Sequence, residues 1–321
     1  MVYFELAPYD AHRAWSDDED FEHPYKPEDV QVPLTLKDTY ETRKDLASYY
    51  NEITRLDAYI GDLINELEKQ GIAENTLIVF TADNGRAFPG SKTRLYDRGI
   101  KTPFIVYWPK GIKKKGSVSD ALISSIDISA TFLDIAETKI PESIQGKSFF
   151  KLFSEPETTF RNYIFAEHNW HDYEAYERAI RTKDFLYIVN HRPSYDNFGP
   201  IDANQSSSAA SLKKYAESGD LSLLQKDGLL TPRAKEEFYN LNDDELQSVN
   251  IINSKEYNNQ INNLRETLKQ WQEETGDSLP DDLTPDCYHR ETGKELPEKG
   301  KRGEMPGSSN NADRINKSGP F

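Results

Sequence analysis

The chain has 321 residues, 36% hydrophobic and 29% charged, with a net charge of −16 and one cysteine, enough for one large or two smaller domains with a sizeable core. A lone Cys287 excludes an internal disulfide framework and a multi-cysteine zinc site, and no apolar run reaches the length of a membrane-crossing helix. The acidic balance argues against nucleic acid, which needs a concentrated basic face, and any anion site must be locally positive, through a metal or a few placed Lys, Arg and His.

The opening residues MVYFELAPYD alternate Val2, Phe4 and Leu6, which predicts a strand beginning with no lead-in. Because a domain seldom begins in mid-strand, a fragment is expected. A polar, acidic loop follows from about Asp10 to Lys37. The stretch TYETRKDLASYYNEITRLDAYIGDLINELEKQG spaces Leu46, Tyr50, Ile53, Leu56, Ile60, Leu63, Ile64 and Leu67 by threes and fours. That is a long amphipathic helix, with Gly71 placed to end it. TLIVFTA then reads as a short, fully buried strand of the parallel-sheet kind, PFIVYWP (Pro103 to Pro109) as a second, and SSIDISATFLDIAE as a helix opening near Asp127. This alternation is the grammar of an α/β layered domain.

From about Phe153 the texture changes. NYIFAEHNW, ERAIRTKDFLYIVN and EEFYNLN read as strands joined by hairpins or loops, and Ser206 to Asp227 as helical turns or loop. Tyr257, Ile261, Leu264, Leu268 and Trp271 share one face of a further helix. Beyond Leu283 the chain is rich in Gly, Pro, Ser and Asn and is expected to be extended or disordered. The expected organisation is an α/β part over residues 1–152, an α+β subdomain with a small antiparallel sheet over 153–283, and a tail over 284–321.

Asp83 and Asn84 end the TLIVFTA strand. A carboxylate and an amide oxygen at that place suit a hard cation, although a helix cap or an Asn-Gly turn is the commoner explanation of the bare DNG. Lys92, in SKTRLY, is on its own an ordinary surface lysine, and His12 an ordinary loop histidine.

Taken together and in order, these segments resemble the sulfatase family of the alkaline-phosphatase-like superfamily. The carriers are YYNEITRLDAYIGDLINEL, then GIAENTLIVFTADNG, then SKTRLYDRGIKTPFIVYWPKGI, then SSIDISATFLDIAETKIPESIQGKSFFKLF and EEFYNLNDDELQSVNI. The spacing within DNGRAFPGSKTRLY is similar to the branch that contains heparan N-sulfatase. The resemblance implies an alkaline-phosphatase-like layered sheet, here partial, followed by the α+β subdomain. It implies a sulfuric-ester or sulfamate hydrolase acting on sulfated glycans, with Ca²⁺ rather than Mg²⁺ at Asp83 and Asn84. Lys92 takes the place of the family's cation on the sulfate and its bridging oxygen, and His12, in LAPYDAHRAW, that of the histidine protonating the leaving group. The family often has His-Asp-Pro-His where this chain has YDAH. His168, Trp170, His171 and Asp172 stand where the family has a substrate-facing loop, and aromatic and imidazole groups suit a sulfated sugar. Arg178 and Arg181 fit either anion contacts or strand salt bridges.

The family's nucleophile is a formylglycine made within C/S-x-P/A-x-R, and no such motif occurs here. Cys287 lies in PDCYHRET, and SEPET (Ser154 to Thr158) has Thr158 where the Arg is required. The expectation is therefore the C-terminal portion of a sulfatase, inactive alone, with any export signal on the missing part. Two alternatives are a phosphodiesterase or phosphonate monoester hydrolase of the same superfamily, and a non-catalytic glycan-binding relic.

Overall fold

The structure is a computed structural model that describes residues 2–16, 21–315 and 317–321. In chain order its main elements are α1 (Tyr40–Lys69), β1 (Ile78–Thr81), α2 (Asp97–Ile100), β2 (Phe104–Tyr107), α3 (Asp127–Ile135), β3 (Ile164–His171), β4 (Tyr173–Arg181), β5 (Phe185–Asn190), α4 (Ile201–Asn204), α5 (Ser207–Glu217), α6 (Leu223–Lys226), β6 (Glu236–Asn240) and α7 (Asn258–Thr275). Its contacts divide into two compact units, neither of them one continuous stretch of chain.

The first unit comprises Met1–Arg94, Arg98–Lys110 and Asp196–Thr231. Helix α1 starts where Thr39 accepts a hydrogen bond from the Thr42 N–H. Gly71, just beyond its end, takes a φ of 70° that a side chain would resist. Leu46 and Ala47 of α1 pack with Val30, Leu36, Phe88, Phe198 and Leu212 into one apolar cluster. The other buried residues of α1 are Thr42, Asp45, Asn51 and Glu52, all in its first half.

Strand β1 corrects the parallel-sheet expectation. It pairs antiparallel with β2, from Ile78 opposite Tyr107 to Thr81 opposite Phe104. Nor is the run fully buried: Ile78 to Phe80 are half-buried and Thr81 is exposed. Short apolar runs look alike in parallel and antiparallel settings, so composition did not separate them. The opening alternation is a second correction. Residues 2–9 form no strand, and Val2, Tyr3, Phe4 and Leu6 are between 64% and 80% exposed. Alternation creates a strand only where one face finds something to bury against.

The second unit comprises Leu95–Asp97, Gly111–Tyr195 and Pro232–Phe321. Its four-stranded sheet is antiparallel throughout, in the order β3-β4-β5-β6. One face carries Ile180, Tyr187 and Phe238, on which α7 lays Ile261, Leu264 and Leu268. Trp271 stacks on Phe165 with ring centroids 5.1 Å apart. Helix α7 ends at Gly276 in the left-handed region. Alternate residues turn to the other face, which is buried yet polar. There the Asn190 amide donates to Glu237 at 2.7 Å, and the hydroxyls of Tyr96 and Tyr239 donate to the other Glu237 oxygen at 2.5 and 2.7 Å.

The segment after residue 283 is irregular but fastened. Cys287 N–H donates to the Asp172 carbonyl at 2.7 Å, and the Phe321 ring lies edge-on to Phe160 at 5.3 Å with Arg161 over it. Helix α5 and the turn α6 settle the stretch from Ser206 to Asp227 as largely helical, capped by Ser206 and Ser222.

Candidate functional site

His12 sits in a turn whose N–H donates to the Tyr9 carbonyl at 2.8 Å. Its two flanks are clamped to α1 by ion pairs. Arg13 grips Asp45 through Nη1 and Nη2 at 2.7 and 2.8 Å, and its Nε donates to the Ala87 carbonyl at 2.8 Å. Asp45 also accepts from Trp15 and Ser208, at 2.8 and 2.6 Å. Burial alone would push the Asp45 carboxyl up. The Arg13 pair, with Ser208 and Trp15, outweighs burial and holds it below its ordinary value. On the other flank Asp10 is held by Arg55 at 2.6 and 2.8 Å, and that guanidinium keeps Asp10 below the usual carboxylate range.

Lys92 arrives on the loop between β1 and β2. Its backbone N–H donates to the Arg86 carbonyl at 3.2 Å, and Gly90 N–H to the Phe198 carbonyl at 2.9 Å. Two glycines allow the loop to close on itself. A Cβ at Gly85 would stand 2.1 Å from the Arg98 carbonyl oxygen, and one at Gly99 would stand 2.1 Å from that of Arg94. Lys92 is 5% exposed. Its Nζ lies 3.2 Å from His12 Nε2, although 80 residues separate the two in sequence.

A third group meets this pair. Asp202, in α4, has Oδ2 at 3.8 Å from Lys92 Nζ and 3.9 Å from His12 Nε2. Nothing in sequence reasoning singled it out, because it stands in a Ser, Ala and Asn stretch 110 positions beyond Lys92. What brings it there is the Phe198 carbonyl bond to Gly90, with the Asn197 amide donating to the Thr93 carbonyl at 3.3 Å.

Asp83 and Asn84 lie in the same unit, directly after β1. Asp83 is exposed and its Oδ1 accepts from the Asn84 N–H at 2.9 Å, while the Asn84 amide donates to the Gly85 carbonyl at 2.7 Å. Among the described residues no group of three or more His, Cys, Asp and Glu gathers around a common point. Calcium takes roughly six to eight oxygens. These two side chains are of the right hard-oxygen type but do not by themselves make the site.

The second histidine cluster belongs to the other unit. A substrate-facing loop was expected for His168, Trp170, His171 and Asp172, but the first three lie inside strand β3. Only Asp172, at a φ of 59°, separates β3 from β4. The His168 ring is turned onto the polar face of the sheet, 11% exposed, with Nδ1 at 3.5 Å from Glu177. Glu177 is in turn ion-paired to Arg233. Trp170 donates to the Pro285 carbonyl at 2.8 Å and carries the Arg302 guanidinium over its ring at 4.1 Å. His171 is exposed. Arg178 and Arg181 prove to be structural salt bridges, bidentate to Asp277 and Asp97 respectively.

Comparison with known proteins supplies the family. The sulfatase family matches residues 6–138, and the family described as N-sulphoglucosamine sulphohydrolase, C-terminal, matches residues 90–207. Residues 6–207 of the chain are those of a sulfatase-family sequence. It is 32% identical over 254 residues to an ulvan-active sulfatase of Formosa agariphila, covering 78% of this chain and 42% of that one. It is 28% identical over 285 residues to the N-sulphoglucosamine sulphohydrolase of Homo sapiens, covering 82% and 56%. The chain thus spans about half the length of the curated relatives it matches. In fold it is similar to a protein solved in complex with its substrate D-glucosamine-2-N,6-O-disulfate, at a TM-score of 0.54 and 24% identity over 74% of this chain and 43% of that one. A Bacteroides thetaiotaomicron structure assigned to the sulfatases aligns over 98% of this chain and 62% of its own, with TM-score 0.55 and 17% identity. These likenesses carry the alkaline-phosphatase-like α/β fold class.

Proposed function

We propose that this chain carries the cationic wall of the site of a sulfuric-ester or sulfamate hydrolase that acts on sulfated glycans. The observation that carries the reading is the buried Lys92 ammonium beside His12 Nε2, within a sulfatase-family sequence. A buried ammonium is costly unless it meets an anion. Asp202 stands at 3.8 Å, beyond hydrogen-bond reach, which leaves the ammonium able to donate to a bound anion, and in a chain of net charge −16 such a site must be local. In this reading Lys92 donates to a sulfate oxygen and offsets the negative charge that grows on the bridging atom as the S–O or S–N bond breaks. His12, protonated at Nε2, gives its proton to the departing sugar oxygen or nitrogen. Asp83 and Asn84 are the two oxygens the chain would bring to a Ca²⁺ ion, whose part when bound is to polarise the sulfate.

The nucleophile is not among residues 1–321, which contain no C/S-x-P/A-x-R, so the chain alone is expected to bind sulfate without turning over an ester. Inorganic sulfate and a sulfated glucosamine, titrated into the purified chain, test this. Lys92→Ala and His12→Ala should each weaken binding roughly tenfold to a hundredfold, as for loss of a hydrogen bond to a charged group. Binding left unchanged in both variants, or measurable turnover of an aryl sulfate by the chain, would contradict the assignment.

A further inference from the structure

The hydrogen bonds of His12 fix its tautomer. Nδ1 faces the Arg13 carbonyl, and a carbonyl only accepts, so Nδ1 carries a proton. The neutral ring then presents a lone pair at Nε2, to which the Lys92 ammonium donates at 3.2 Å. To act as an acid, His12 must carry a second proton at Nε2. Imidazolium and ammonium would then face each other across that same short distance, two donors with no acceptor between them.

Asp202 is the group positioned to relieve this. Its Oδ1 is engaged by the Ala203 N–H at 2.8 Å, which fixes the carboxylate on α4. Its Oδ2 is buried, makes no hydrogen bond among the described residues, and lies within 4 Å of both cations. Among the described residues, His12 also has the uncharged Tyr9 ring at 5.1 Å and, as chain neighbours, Arg13 and Asp10, whose charges are paired to Asp45 and Arg55. We propose that Asp202 is a positioning residue which holds His12 and Lys92 as a doubly protonated pair and so sets the pH at which His12 has a proton to give. It does not touch the scissile bond. It acts through the two groups that do, and its role rests on the sulfate-site reading given above.

Selective ¹³C labelling of the histidine rings lets each of the six histidines be titrated by NMR in the whole chain, His12 being the signal lost in His12→Gln. Asp202→Asn removes a negative charge about one ionic contact away. It should move the His12 midpoint down, since a carboxylate facing both cations favours their protonated forms, and Asp202→Glu should restore most of the change. A midpoint unmoved in a folded Asp202→Asn protein overturns the proposal. The unmodified chain gives an independent check: the carboxyl ¹³C signal of Asp202 should show a step at the His12 midpoint, and its absence equally overturns the role. Adding inorganic sulfate separates the two readings. Sulfate should raise the His12 midpoint. A His12 signal indifferent to sulfate, with the Asp202 effect intact, overturns the sulfate-site reading and leaves the electrostatic role standing.

Discussion

His12 and His168 are each drawn close to a carboxylate, yet their surroundings differ in kind. The His12 side chain is 46% exposed in an irregular turn, and two ion pairs on its flanks fasten that turn to a helix. His168 stands within a strand, 11% exposed, among Glu177, Arg233 and the polar network of a sheet whose opposite face is closed by α7. A group meant to meet a ligand needs an exposed tip on a rigid base, and a turn between salt bridges supplies both. A strand supplies only the rigidity. The difference also concerns what lies under each histidine: directional, charged contacts beneath the His12 turn, and apolar packing against α7 on the far face of the sheet from His168.

The strongest way to break that contrast is Asp45→Asn. The amide keeps the shape of the carboxylate but leaves the guanidinium of Arg13, a side chain 9% exposed, without its counter-charge. Loss of one partner from a buried pair costs about 3–5 kcal/mol, to be read from denaturant unfolding. The same residue gives a pH dependence. The folded-state value of Asp45 lies below the unfolded value of about 3.9. Its contribution is therefore complete above that value and is lost as pH falls through the folded one. Asp45→Asn should flatten the acid limb of the stability profile below about pH 4. An equally steep limb would place the acid sensitivity elsewhere.

The sheet unit should answer a shape-conserving change differently. Leu264→Met keeps volume and polarity in the α7 interface, where Leu264 is 3% exposed, and should cost less than about 1.5 kcal/mol. A larger loss than that of Asp45→Asn would reverse the comparison and show the packing to be the less forgiving of the two.

What the sequence discloses follows the same divide. Helices α1 and α7 are legible because their apolar side chains repeat at 3.6 residues. Strands β5, β6 and parts of β3 and β4 are legible because short aromatic and β-branched runs stand between turn residues, although both faces of β4 and β6 are buried. The antiparallel pairing of β1 with β2 is not legible, since a four-residue apolar run carries no partner information. Nor is the exposure of Val2, Phe4 and Leu6, whose alternation promises a buried face that the chain does not provide. In the candidate site, His12 and Lys92 are legible through the ordered resemblance of their segments. Arg13, Asp45 and Asp202 are not, because their importance lies in contacts made across 32 and 110 positions. A salt bridge has no period.

The smallest expected effect bears on the substrate-facing cluster anticipated around Trp170. One face of that indole is taken by the Arg302 guanidinium, 4.1 Å from the ring centroid, and its N–H by the Pro285 carbonyl. A ring committed to the segment after residue 283 cannot offer the same face to a sugar unless Arg302 first leaves. A double-mutant cycle of Trp170→Leu and Arg302→Gln should return a coupling of about 0.5–1 kcal/mol. A coupling indistinguishable from zero would free the indole face energetically, and sugar stacking on Trp170 would then compete with nothing.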